Sequence, residues 1–322
     1  IFGISVSLGI GVVFLNYGLS ALFGIPNSIA VQIALMALAV GITIVSTVSG
    51  VDKGIKFLSL LNVFAAIALS IWVLVAGNTQ FLLNAFVLNV TDFVRLFPNM
   101  VGQTFAFEDT GTWMTDWTLF FWAWWIAWAS FVGLFLARIS RGRTIRQFVI
   151  GTLTIPFIYI FMWISIYGNS ALDIIRSGNL EFGEQTMLNP EGGFYELLAQ
   201  YPAFTVVAAL ATLTALLFYV TSADSAALVM ANLSSFLPTP QDDGRAGLRI
   251  FWAVLTGALT VAMLIVGGIG ALQSATVIMG LPFAFVIILV MIGLYRALRV
   301  EGNRVDSVEQ SLSGSIARRS GR

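Results

Sequence analysis

The sequence predicts an all-α integral membrane protein, and three observations carry that prediction. Hydrophobic residues make up 58% of the 322 and charged residues only 10%, with a mean hydropathy of +0.91. Soluble domains run nearer about 45–50% apolar and 25% charged, so this composition cannot supply a soluble surface. Eight stretches reach the length of a spanning helix, about 20 mostly apolar residues. Lys and Arg fall on one side when those stretches alternate across a bilayer.

The predicted spans are 1–23, 30–49, 57–77, 117–137, 148–168, 203–233, 250–271 and 274–297. Turn chemistry separates them: Gly-Ile-Pro-Asn at 24–27, Ser-Gly-Val-Asp-Lys at 49–53 and Pro-Thr-Pro at 238–240. With alternation, the loops 50–56, 138–147 and 234–249 share a side with the C-terminal tail. That side holds 14 of the 16 Lys and Arg, leaving only Arg95 and Arg176 opposite. Basic residues collect on the cytoplasmic side, so the C-terminus is expected there, in a multi-pass protein of the cell membrane with the lipid bilayer as its surroundings. Between spans, VLNVTDFVRLFPNMVGQTFAF is apolar but interrupted by Asp92, Arg95 and Pro98, which suits a helix lying at the interface. Residues 169–202 carry five acids and read as a solvated loop. The final stretch SVEQSLSGSIARRSGR is polar and reads as a mobile tail. The chain opens at Ile1 inside an apolar run without a charged n-region or cleavage site, so it is read as part of a longer, N-terminally truncated protein.

Composition also excludes functions. His and Cys are absent, which removes imidazole bases, thiolate nucleophiles and the common zinc sites, and no convergent acid pair stands out for acid–base chemistry. An enzyme is not expected, and no cofactor. A net charge of zero argues against nucleic acid as a partner.

Chemistry concentrates in WTLFFWAWWIAWASF at 117–131, where eight of fifteen residues are aromatic. Interfacial belts are rich in Trp, and Trp113 and Trp117 fit one. From Trp117 to Trp128, however, is about 16 Å of helix, which reaches the middle of a core about 30 Å thick. Trp124 and Trp128 are i,i+4, Trp125 and Trp128 are i,i+3, and Phe131 extends the same face. Helix seams in membranes favour small residues over such rings. Aromatic faces are the usual partners of quaternary ammonium ions, which have no N–H to donate. Three desolvated rings contribute about 6 kcal/mol at about 2 each, whereas micromolar binding needs about 8, so other groups must complete such a site.

A second polar stretch, TSADSA, lies inside the apolar run 203–233. A carboxylate at membrane depth is costly and points to function; the alternative for Asp224 is a wet crevice near the cytoplasmic end. Thr221 and Ser222 either bond back to their own helix or present the hard oxygens that sodium takes.

DWTLFFWAWWIAWASFVGLFLARISRGRTIRQF (116–148), with SGVDKGIKFLSLLN (49–62) and TSADSAALVM (221–230), resembles the betaine/carnitine/choline transporter (BCCT) family, notably its sodium-coupled glycine betaine transporters. The resemblance runs along nearly the whole chain and implies a leucine-transporter-like inverted-repeat bundle. About eight transmembrane helices of an expected twelve are then present: residues 1–77 close the first repeat, 78–116 form an outer segment with the interfacial helix, 117–297 make the second repeat, and 298–322 form a cytoplasmic tail. It implies secondary active transport of a quaternary ammonium compatible solute such as glycine betaine, choline or carnitine, by Na+-coupled symport. A channel-like facilitator, a substrate exchanger or a same-fold amino-acid transporter are the alternatives. By the same resemblance Trp124, Trp125, Trp128 and Phe131 bind substrate, Thr221 and Ser222 form half of a sodium site, and Phe131 touches a second. The second site is in doubt because Ile4 stands where coupled relatives have a threonine, although Ser5 and Ser7 lie close by; one-sodium coupling, proton coupling and exchange stay open. A homotrimer through the interfacial helix is the implied assembly.

Overall fold

The computed structural model describes residues 1–49, 52–239 and 242–320. Gly50 and Val51 of the second turn, Pro240 of the Pro-Thr-Pro stop and Arg322 lie outside them. Among the described residues every regular element is helical: α1 (Phe2–Phe23), α2 (Ile29–Ser49), α3 (Asp52–Ala76), α4 (Thr79–Val101), a π-helical turn (Met114–Leu119), α5 (Phe120–Ile139), α6 (Ile145–Arg176), α7 (Leu180–Leu188), α8 (Gly193–Ala199), α9 (Phe204–Leu233) and α10 (Ala246–Ser320). Seven helices are long and apolar enough to cross a membrane. An eighth is the pair Met114–Ala129 and Phe131–Ile139, bent by 46° where the predicted span 117–137 runs; no proline lies within it.

The first helix, α1, is the centre of the bundle. It is apolar all round, as a helix buried on every side must be, and Val6, Val12, Leu15 and Asn16 are buried. It packs antiparallel to α9, with Gly18 against Thr212 and Gly11 against Tyr219. At its far end Asn16 accepts from Ser28 N (3.1 Å) and donates to Pro26 O (3.1 Å), fixing the turn into α2. A Thr144–Gln147 capping box starts α6, each side chain meeting the other's backbone N–H at 3.2 Å.

The two predicted spans 250–271 and 274–297 are the arms of α10, broken at Gly267–Gly268 rather than between 271 and 274. Gly268 has φ 63° and ψ −148°, a conformation essentially confined to glycine. Thr260 and Leu272 both approach Gly9. On a straight helix they would stand about 18 Å apart, so the chain folds back between them.

Two expectations are corrected. Residues 169–202 are not a plain solvated loop: they complete α6 and form α7 and α8. The acids alternate with apolar residues that turn inward, so Phe182, Tyr195, Leu197 and Leu198 are buried. Burial pushes the Tyr195 phenol up to about 12, its hydrogen bond with Thr212 Oγ1 (2.9 Å) partly opposing this. The tail from 298 to 320 continues the second arm of α10 as helix. The interfacial segment is α4, itself of crossing length and apolarity. It is also the most sharply amphipathic of the long helices. Phe86 and Phe93 both reach Phe161 on α6 at 5.8 and 5.7 Å, and Phe93 also meets Phe157 at 5.3 Å, so α4 packs against α6 through aromatic rings.

Candidate substrate site on the aromatic helix

The structure splits the aromatic stripe. Trp124 and Trp128, one turn apart, face α1; Trp125 points away and is 65% exposed. Close approach of α5 to α1 requires Gly3: a Cβ there would lie 3.0 Å from both Ala127 Cβ and Trp128 Cδ1. Through that gap both indole N–H groups reach the same pair of acceptors. Trp128 Nε1 donates to Gly3 O (2.8 Å) and Ser7 Oγ (3.1 Å), and Trp124 Nε1 to Ser7 Oγ (3.0 Å) and Gly3 O (3.2 Å). Ser7 Oγ in turn donates to Gly3 O (2.9 Å).

Ring packing fixes the remaining freedom. Buried Phe120 stacks on Trp124 at 5.2 Å and 23°, and Phe131 meets Trp128 edge to face at 5.2 Å and 86°. Trp124 and Phe131 lie against the α1-centred core, half-buried. With the polar edges of Trp124 and Trp128 satisfied by α1, their π surfaces are what they offer to a cation.

Thr221 and Ser222 sit on α9, which also packs on α1, so α1 backs both groups of candidate residues. The Thr221 hydroxyl donates to Leu217 O (2.8 Å), with Phe218 O at 3.2 Å, and Ser222 is half-buried. Next along, Asp224 is buried and pairs with Arg249 of α10 at 3.2 Å. Where the second sodium site was in doubt, Ile4 is buried aliphatic core, and Ser5 is fully buried with no hydrogen-bond partner for Oγ among the described residues.

Sequence reasoning missed the partners of these groups. Gly3 and Ser7 are i,i+4, which could have marked one polar edge on α1, but nothing local links them to residues 121 positions away. Also missed was the partner of Arg138 at the C-terminal end of α5, which bridges to Asp243 at 2.9 Å. Asn232 holds that loop by accepting from Gly244 N (2.6 Å) and donating to Asp243 Oδ1 (3.4 Å). Beside the bridge a cavity of about 600 Å³ opens between α5 and α9, lined by Leu134, Ala137, Arg138, Arg141, Asn232 and Leu233.

Membrane-length helices packed about α1, with a half-buried aromatic face where α5 meets it, define a multi-pass membrane protein. The chain belongs to the betaine/carnitine/choline family of transporters (BCCT), whose profile matches residues 1–303. It is 59% identical over 310 residues to the high-affinity choline transport protein of Escherichia coli K12, covering 96% of this chain and 46% of that protein. Similarity to the osmo-dependent choline transporter BetT2 of Acinetobacter baylyi is 55% over 305 residues, 94% of this chain and 44% of the relative. To the glycine betaine transporter OpuD of Bacillus subtilis it is 36% over 312 residues, 96% and 59%. The chain thus spans about half the length of the curated relatives it matches.

Proposed function

We propose that the protein carries a quaternary ammonium solute across the cell membrane, with choline the first candidate and glycine betaine and carnitine the others. The observation that supports this best is the pair Trp124 and Trp128, whose N–H edges are both consumed by α1. Such rings attract a cation through their faces and offer no acceptor to a primary amine. Two of them contribute up to about 4 kcal/mol of the roughly 8 that micromolar binding needs. Trp125 and Phe131 are the candidates in this chain for part of the remainder. Choline leads because the relatives at 59% and 55% identity are both named for choline, whereas at 36% names for choline and for glycine betaine both occur.

The test is radiolabelled choline uptake in cells lacking their own carriers and expressing the intact gene. Trp128→Ala abolishes uptake at unchanged membrane abundance; normal uptake by that variant overturns the aromatic site. Excess choline suppresses the labelled signal and excess ethanolamine, its unmethylated counterpart, does not. Equal competition by the two overturns the methylated-cation reading.

Na+ is the proposed coupling ion, with Thr221 and Ser222 as ligands and Phe131 beside a second position. What supports the first is that the Thr221 proton is committed to its own helix, so its lone pairs are free to face a cation. Uptake that persists when Na+ is replaced by N-methylglucamine and follows a proton gradient refutes it. A cytoplasmic C-terminus follows from the distribution of basic residues. Assembly as a homotrimer through α4 rests on the family resemblance, and native mass of the purified protein tests it.

A further inference from the structure

Trp124 and Trp128 reach for the same two oxygens, and counting lone pairs decides which bonds each can keep. Four hydrogens converge on Gly3 O: the backbone N–H of Ser7 one helical turn on, Trp128 Nε1 at 2.8 Å, Ser7 Oγ at 2.9 Å and Trp124 Nε1 at 3.2 Å. A backbone carbonyl has two lone pairs, so the most distant of these side-chain donors, Trp124 Nε1, is the one it holds least. Trp124 is left with Ser7 Oγ at 3.0 Å, whose own proton is spent on Gly3 O while its lone pairs remain open. Trp128 has the longer contact to that hydroxyl, 3.1 Å, and does not depend on it. The bonds therefore run in one direction, from Trp124 to Ser7 to Gly3, with Trp128 donating to Gly3 O directly.

We propose that Ser7 is a positioning residue for the aromatic site, holding the ring plane of Trp124 through the indole N–H while Trp128 is held by Gly3 without its help. The proposal rests on the aromatic face being the cargo site. Its physical content is that Trp124 has two restraints: the Phe120 stack on one face, at 5.2 Å, and the Ser7 hydroxyl at its polar edge. Stacking permits a ring to slide and rotate in its own plane; a hydrogen bond at the edge does not. Without the hydroxyl, the Trp124 N–H competes for a carbonyl already filled, and the ring turns away from the pose in which its face meets the cation.

The test is a double-mutant cycle in the intact gene: Ser7→Ala, Trp124→Phe, which keeps a ring but deletes the N–H, and both together. Ser7→Ala is expected to raise the choline KM about tenfold, the factor given by one lost hydrogen bond in a preorganised site. Maximal uptake per transporter at the surface changes less than twofold, as expected when binding is lost evenly from ground and transition states. The double variant is no worse than the poorer single variant, since both remove the same bond. Ser7→Thr, which keeps the hydroxyl, returns KM to within about twofold of wild type. An unchanged KM in Ser7→Ala, or a double variant showing the product of the single effects, overturns the proposal. If Ser7→Ala fails to reach the membrane, Ser7→Cys, with its weaker acceptor, takes its place with the same directions expected.

The indole N–H band in ultraviolet resonance Raman difference spectra of the purified protein reports without transport. Ser7→Ala must lose one bonded indole, and adding it to Trp124→Phe must lose none. If wild type takes up no choline, the cargo reading fails. The Raman result then decides the role of Ser7 alone, an unchanged band overturning it.

Discussion

Asp224 and Arg249 form the most buried ion pair among the described residues, with side chains 7% and 15% exposed and 3.2 Å between Oδ1 and Nη2. Two unit charges at that distance attract by about 5 kcal/mol at an effective dielectric near 20. Desolvation of both groups offsets most of this, so the pair as a whole adds little net stability. Removing one partner is a different matter. Asp224→Asn keeps the shape and withdraws the charge, leaving a buried guanidinium without its carboxylate, and is expected to cost about 3–5 kcal/mol. Arg249 cannot recover through its Nε, which is buried and already lacks a hydrogen-bond partner. The double variant Asp224→Asn/Arg249→Gln removes both charges and is expected to regain more than half of the loss. The assay is denaturation of the purified protein in detergent at pH 7, followed by helical circular dichroism. Asp224→Asn within about 1 kcal/mol of wild type, against the 3–5 expected, or a double variant less stable than Asp224→Asn, refutes the argument that α9 and α10 are joined here by mutual charge compensation.

Two further outcomes are expected. Gly3→Ala brings a methyl to 3.0 Å from Ala127 Cβ and Trp128 Cδ1. The forced separation of α1 from α5 costs about 1–3 kcal/mol and raises the choline KM, while wild-type stability and affinity would mean the close approach is not needed. At the C-terminal end of α5, the absence of Cys from these 322 residues allows Leu134→Cys to report access to the cleft. Arg138→Ala raises its labelling by a membrane-impermeant thiol reagent applied to inside-out vesicles several-fold, while stability shifts by less than about 1 kcal/mol because the bridge is partly exposed. Unchanged labelling sinks the view that the Arg138–Asp243 bridge holds the cleft.

The long elements were legible because a bilayer imposes a length and a composition on any helix that crosses it. Each of the eight predicted stretches overlaps a membrane-length helix, a helix arm or the bent pair, although 250–271 runs across the break in α10. The aromatic stripe was legible for the same reason, since so many rings far from the interface stand out against aliphatic neighbours. Other features escaped because uniform apolarity erases local signals. In IVGGIGALQS nothing but two adjacent glycines marks where α10 reverses, and Gly270 offers a rival position for the turn. Residues 169–202 misled because their acids were weighed and the inward-facing Tyr195 and Leu198 were not. Trp124 and Trp125 are indistinguishable in the sequence, yet one is half-buried against α1 and the other 65% exposed. Only the neighbouring helix decides which side of α5 is inside. The oxygens that receive the indoles lie 121 and 125 positions from Trp124 and Trp128 for Gly3, and no periodicity reports a pairing of that range.

Gly3, Ser7 and Gly11 all belong to one rod, and that rod props the aromatic rings on one flank and the α9 helix bearing the Thr221–Ser222 hydroxyls on another. A slip of α1 by a single residue, about 1.5 Å along its axis and 100° about it, would carry both acceptors out from under the indoles and drag Gly11 away from Tyr219. Such a shaft lets a disturbance at either flank be felt at the other with nothing bound between them.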